Sequence, residues 1–210
     1  MPGTLHYFDI HGRGDPIRAL LCHAGVSFTD HRIPMEDFKS GAAEPFTVLG
    51  AFPVWEEDGI KMPSSNSILR FLGIRHGYYP EDPMCAYEVD SLMDFMEDLY
   101  PVHRKYIMPM FMGQPITGGH EEVMKNCYCR IFDAIETRMN THGKKFVAGT
   151  DRPTIADFKL FAPLCSLGKL NPMSAYPEEC KEMMAQKAHE KPGVMRWIMT
   201  MKEELATHLA

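Results

Sequence analysis

Along the first 78 residues, short strand-like runs alternate with helix-spaced apolar positions, whereas beyond Pro83 the pattern is helical throughout. Thr4 to Phe8 (TLHYF) predicts a strand, and the turn His11-Gly-Arg-Gly14 separates it from a helix opening at Asp15-Pro16 and closing at Gly25. Asp15 is expected to be its N-cap, with Pro16 at the first helical position, where a missing N–H costs nothing. Ser27 to Ile33 alternates as a second strand, and Pro34 to Phe52 reads as irregular or weakly helical. Pro53 to Glu57 and Ile60 to Met62 form a hairpin about Asp58-Gly59, after which Ser64 or Ser65 caps a helix reaching about Arg75. Pro53 opens its strand, where the missing ladder donor is tolerated. A cis bond after Phe52 is a reasonable expectation, set against a base rate of ~5% for X-Pro bonds.

The order β-α-β-(α)-β-β-α suits a thioredoxin-like α+β domain over residues 1–78. Residues 79–84 fall in a proline-rich, acidic linker, and 85–210 form an all-α domain. Its helices are expected near Met84–Met112, Gly119–Thr141, Thr154–Leu170, Pro177–His189 and Gly193–His208. Thr154-Ile-Ala-Asp157 forms a capping-box variant at the start of the third.

Composition narrows the function. The 210 residues are 45% apolar and 24% charged, as in ordinary folded proteins. Acidic residues outnumber basic ones 28 to 22, which argues against a nucleic-acid or anionic-membrane partner. No run approaches the roughly 20 apolar residues of a membrane span, and Met1 to Ile10 lacks the layout of a signal peptide, so a cytoplasmic location is expected. The six cysteines lack zinc-finger spacing and read as reduced thiols, mostly buried. The ten histidines include no HExxH, so no metal is expected. Gly12-Arg-Gly14 lacks the third glycine of a dinucleotide fingerprint. Seventeen methionines, among them Met108, Met110, Met112, Met195, Met199 and Met201, suit either core filling or an adaptable surface.

The stretch Tyr7-Phe-Asp-Ile-His-Gly-Arg-Gly-Asp-Pro-Ile-Arg18 resembles the opening of a tyrosine-type cytosolic glutathione transferase. Thr29-Asp-His-Arg-Ile33 with Asp37-Phe38 is similar to the sigma class. Phe52-Pro53-Val, Ser64-Ser-Asn-Ser-Ile-Leu-Arg70, and Val147-Ala-Gly with Thr154-Ile-Ala-Asp157 resemble further family segments in the family's order. The resemblance implies a homodimer that conjugates glutathione, as co-substrate, to small hydrophobic electrophiles in detoxification. Tyr7 would then be catalytic. Glutathione would be held by Tyr7, Arg13, Phe38, Lys39, Phe52, Pro53, Ser64, Ser65 and, across the dimer, Asp94. Phe8, Arg13, Met93, Met96 and Tyr100 would line the electrophile side. Four positions depart from the family pattern: Phe38 replaces a tryptophan, Ala42 a lysine, and Ala51 and Ser64 glutamines. These departures keep a non-enzymatic carrier or structural protein open as an alternative, and a glutathione-dependent isomerase stays open because the same thiolate can add to a peroxide or olefin and leave again.

The chemistry asked of those residues is specific. A thiol with a pKa near ~8.5 is only a few per cent ionised at neutral pH. A tyrosine, with a pKa near ~10, stays protonated while the thiol ionises and so donates to the anion.

Overall fold

The computed structural model describes residues 2–111, 113–167 and 176–206, with side chains at all of these except 110, 111 and 165–167. The sequence-expected helix ends at Met112, Leu170 and His208, and the side chains of Met110, Met112 and Cys165, lie outside that set.

Four strands, β1 (Thr4–Phe8), β2 (Thr29–Ile33), β3 (Val54–Glu57) and β4 (Ile60–Pro63), form one mixed sheet in the order β2-β1-β3-β4. β1 runs parallel to β2, with Thr4 opposite Thr29 and Phe8 opposite Ile33, and antiparallel to β3. A parallel pair needs a crossover, which α1 (Asp15–His23) supplies. The β3–β4 pair needs only a tight turn: Asp58 (φ 49°) and Gly59 (φ 77°) both take left-handed conformations, as a primed hairpin turn requires. The Phe52-Pro53 peptide is cis. α2 (Met35–Ser40) and a short 3₁₀ turn (Glu44–Phe46) occupy the stretch expected to be weakly helical, and α3 (Ser65–His76) completes the thioredoxin-like unit.

Because β1 is central, both of its faces are covered. Leu5 and Tyr7 on one face are 0% and 5% exposed, and His6 on the other is 5% exposed. The His6 face meets His31 and a stacked Phe46, whereas Leu5 and Tyr7 enter the main apolar core with Ile17, Leu20 and Leu21 of α1 and Leu69 and Leu72 of α3.

The helical part comprises α4 (Pro83–Phe111), α5 (His120–Val123), a π turn (Met124–Tyr128), α6 (Cys129–His142), α7 (Ile155–Leu167), α8 (Glu178–His189) and α9 (Pro192–Glu204). The π turn interrupts what the sequence pattern presents as one helix from Gly119. α4 starts inside the expected linker, at Pro83, a residue whose fixed φ suits a first helical turn. α1 also differs from expectation. Gly14 takes the cap position and Asp15, 3% exposed, is the first helical residue, paired with His11 at 3.2 Å. The Asp15 N–H is already turned back onto the Gly12 carbonyl (3.2 Å), so the turn closes one residue earlier than a side-chain cap would place it.

The two parts pack closely. A Cβ on Gly73 of α3 would stand 2.5 Å from Ile155 Cγ2 of α7, so only glycine permits this approach, and the Ile155 N–H donates to the Tyr78 carbonyl at 3.0 Å. Among the described cysteines, Cys127 and Cys180 are buried and Cys22, Cys85 and Cys129 half-buried, all free. The α9 methionines do not share a surface: Met201 is core, Met195 half-buried and Met199 52% exposed.

Asp157, fully buried, is the polar anchor of the helical part. Its Oδ2 accepts from the Thr154 N–H (2.8 Å) and hydroxyl (2.9 Å), and its Oδ1 from the Val147 N–H (3.1 Å) and Trp197 Nε1 (2.8 Å). The expected capping box thus extends into a knot joining the 147 loop, α7 and α9. Asp157→Ala leaves buried donors unpaired and should cost about 3 kcal/mol or more in denaturant unfolding. In a chain of this size that is a fall of roughly 6–12 °C in melting temperature. A loss below ~1 kcal/mol would show that the knot is dispensable.

Candidate active site

Tyr7 is the penultimate residue of β1, with its ring pressed beneath the turn that follows. A Cβ at Gly12 would lie 2.9 Å from the Tyr7 hydroxyl, and one at Gly14 would lie 2.5 Å from Cδ1. Gly12 also has φ +136°, closed to most side chains, so this turn needs glycine for space and for conformation. Between them the Arg13 N–H donates to the Tyr7 hydroxyl at 2.9 Å. With one lone pair engaged by that amide, the phenolic proton is left for another acceptor. Burial is the main influence on Tyr7 and pushes its pKa up to about 12, against the opposing pull of the Arg13 amide. Tyr7 is therefore protonated at neutral pH and available as a donor.

Arg18 fixes the same corner from α1. Only 4% exposed, it spends its guanidinium on Asp30 (3.1 Å to each oxygen) and the carbonyls of Ile10 (3.0 Å) and Phe8 (3.2 Å), with its Cζ 5.6 Å from the Tyr7 ring centroid. A buried arginine so fully used braces the backbone leading from Tyr7 into the turn.

The Arg13 side chain turns the other way, onto the helical part. Its Cζ lies 3.7 Å from the Tyr100 ring centroid, and its Nη2 donates to Glu97 Oε2 at 2.6 Å. Glu97 Oε1 accepts from Lys159 Nζ at 2.9 Å, and Lys159 also donates to Asn66 Oδ1 at 2.9 Å. Lys159 and Arg13 together hold the Glu97 carboxyl below the usual carboxylate range despite its partial burial. Sequence reading missed Glu97, Lys159 and Asn66. One signal was available: Lys159 interrupts the apolar run Phe158-Lys-Leu-Phe161, and a charge on a buried helix face requires a partner.

Beside Tyr7 at the end of β1, Phe8 packs edge-on against Phe38 (5.2 Å between centroids) and Phe52 (5.3 Å), and Phe38 lies 6.0 Å from Phe52. Pro53 is buried and Lys39 is exposed on α2. Ser64 precedes α3 with φ 75°, an uncommon conformation for a non-glycine residue, of the kind that concentrates at functional sites. Ser65 is 3% exposed, and its hydroxyl has no partner among the described residues. That orphan sits at the first position of α3, beside the free N–H groups of a helix start.

Two expected positions on α4 differ in exposure. Asp94 is 77% exposed, with its carboxylate 3.8 Å from Arg70 Nη2. Met93, 0% exposed, is packed in the core and has no open face to offer an electrophile. Its neighbour Met96 is half-buried against that core, and Tyr100 meets Arg13. Met93, Met96 and Tyr100 share one helix face at i, i+3 and i+7, so burial by the surrounding core and not helix phase sets Met93 apart.

The close contact at Gly14 can be tested directly. Gly14→Ala must displace the Tyr7 ring, so kcat/KM with any substrate that depends on that hydroxyl should fall by at least ~10-fold. Wild-type turnover and melting temperature in that variant would show that the turn is free to give.

No family model matches the chain. Relatives do. Over 206 residues it is 30% identical to the probable glutathione S-transferase 8 of Caenorhabditis elegans, an alignment covering 95% of this chain and 96% of that protein. Over 184 residues it is 33% identical to glutathione S-transferase P 1 of Xenopus laevis, covering 84% of each. The Pi-class glutathione S-transferase of Onchocerca volvulus superposes with a TM-score of 0.76 at 21% identity, over 99% of this chain and 92% of that one, a likeness of fold. Tyrosine, glycine turn, cis-proline strand and helix start stand in one fold, and relatives at 30% and 33% identity are matched over 96% and 84% of their length: the chain belongs to the glutathione S-transferase family.

Proposed function

We propose that this transferase ionises the thiol of bound glutathione against the Tyr7 hydroxyl and adds it to small hydrophobic electrophiles. The observation that carries the reading is Tyr7: buried, protonated, and engaged by the Arg13 amide on one lone pair so that its proton is left for the sulfur. Lowering a thiol pKa by ~2 units takes about 2.7 kcal/mol of preference for the anion. A charge-assisted hydrogen bond in a site shielded from water is of that order.

The rest of glutathione finds complementary groups. The γ-glutamyl carboxylate is assigned to the orphan Ser65 hydroxyl and the N-terminal turn of α3 beside Ser64, which favours anions. The cysteinyl backbone is assigned to Phe52 before Pro53, and the glycine end to Phe38 and Lys39. Asp94, exposed in one chain, serves the γ-glutamyl amine only in the homodimer. The electrophile is assigned to the apolar side bounded by Phe8, Arg13, Met96 and Tyr100. A sigma-like class rests on Thr29–Ile33 with Asp37-Phe38. The domain division at 1–78 and 85–210, the linker at 79–84 and a cytoplasmic location belong to the same reading. Isomerase activity would use the same thiolate. The carrier reading draws on Phe38, Ala42, Ala51 and Ser64, and differs in predicting binding without turnover.

Tyr7→Phe should lower kcat/KM with an aryl halide roughly 10- to 100-fold and abolish the thiolate absorbance of bound glutathione at neutral pH. An unchanged rate removes Tyr7 from the mechanism. Ser65→Ala should raise the KM for glutathione by about 5- to 20-fold and leave kcat nearly intact, because the hydroxyl serves ground state and transition state alike. The pH profile has a definite sign. Activity requires Tyr7 protonated, and its pKa is raised to about 12, so kcat/KM should rise once as the bound thiol ionises and then stay level through pH 9. A fall between pH 8 and 9 would place an essential donor with a lower pKa in the site.

A further inference from the structure

Resting on the glutathione reading above, we propose that Lys159 is a positioning residue. It ties the Tyr7 turn to the first turn of α3, so that the thiol end and the γ-glutamyl end of the site are set by one side chain from the helical part. Lys159 is 7% exposed on α7, and its ammonium makes two bonds of 2.9 Å, to Asn66 and to Glu97. Asn66 immediately follows Ser65, the orphaned hydroxyl. Glu97 passes the connection, at 2.6 Å, to Arg13, whose backbone N–H meets the Tyr7 hydroxyl at 2.9 Å. Four side chains from the Tyr7 turn, α3, α4 and α7 therefore form one chain of contacts with Lys159 at its centre.

The charge count supports the same role. Arg13 and Lys159 bring two positive charges against one carboxylate, Glu97, and the fourth member, Asn66, is neutral. One positive charge is left over between two places where glutathione would put negative charge, the sulfur and the γ-glutamyl carboxylate. A methionine or leucine at position 159 would satisfy the apolar surroundings of α7 without desolvating an ammonium, so the lysine needs a purpose beyond packing. A shared brace also makes the two ends interdependent: tightening α3 around the carboxylate pulls, through Lys159 and Glu97, on the turn that presents Tyr7.

Lys159→Met keeps the length and removes the charge and both bonds. In the intact enzyme, two quantities should move together: the pKa of bound glutathione, read from thiolate absorbance, should rise by about 0.5–1 unit, and the KM for glutathione by roughly 3- to 10-fold. Asn66→Ala cuts only one arm and should raise that KM by ~3-fold with the thiol pKa unchanged. A merely structural lysine would lower the melting temperature and move neither. A folded Lys159→Met with wild-type thiol pKa and KM overturns the inference. If Lys159→Met does not fold, an Asn66→Ala enzyme with unchanged KM overturns it instead. Wild-type protein that binds no glutathione overturns the functional reading and this inference with it, whereas wild type that ionises glutathione beside an unaltered Lys159→Met overturns the inference alone.

Discussion

The hydrogen bond from the Arg13 amide to the Tyr7 hydroxyl is the constraint on which the site depends. It requires the chain to reverse directly over an aromatic ring, and two of the three residues in that reversal cannot carry a Cβ without striking the ring. Arg18 and Asp30 then hold the backbone on either side, and α1 begins where the turn ends. A phenol on a strand end would otherwise be free to rotate and to spend its proton on water. Clamped from one side by an amide, it has one direction left in which to donate.

Three of the charged residues inside this protein follow a common rule. Arg18, Asp157 and Lys159 are each under 8% exposed, and each makes several bonds that join segments distant in sequence. Desolvating an ion costs several kcal/mol, so such residues survive only where their geometry is close to complete. The three differ in what they hold. Asp157 joins loop to helix to helix within the helical part, Arg18 braces the sheet corner, and Lys159 crosses from the helical part to the thioredoxin-like one. Arg18 and Lys159 both connect packing to the predicted chemistry, the first within the sheet corner and the second across the two parts.

Much of this was legible in the chain itself. Strand alternation, the Asp58-Gly59 hairpin and the Gly-Arg-Gly turn are local signals, so the sequence pattern recovers the sheet elements, α1 and α3 within a few residues, whereas α2 was legible only as a weakly helical stretch. Strand order was not legible, because β1 pairs with β2 and β3 through contacts that no local pattern encodes. The π turn at Met124–Tyr128 escaped for a related reason: its apolar spacing fits an uninterrupted helix, and the extra residue is absorbed by packing. Tyr7, Arg13 and Ser65 were recognisable by motif. Glu97 and Asn66 were not, because each is an ordinary polar residue on a helix until the fold brings Lys159 between them. Met93 shows the opposite error, since it shares a helix face with Met96 and Tyr100 and looks equally suitable until the core packed around it buries it fully.

The departures at Phe38, Ala42, Ala51 and Ser64 bear on affinity more than on chemistry. Three of them remove a side-chain donor from the region assigned to the glycine and γ-glutamyl ends, Ser64 puts a shorter hydroxyl in place of an amide, and none lies in the Tyr7 turn. At Phe38 aromatic surface takes the donor's place, since Phe8 packs edge-on against both Phe38 and Phe52 beside the cis-proline strand. Such surface favours apolar ligands without orienting a carboxylate. On the proposed reading, a site with its thiol-activating end complete and fewer donors at its carboxylate end draws its hold on glutathione from fewer polar contacts. The excess positive charge around Lys159 then matters more than it would in a site rich in donors, since a field acts on an anion without requiring a bond to it.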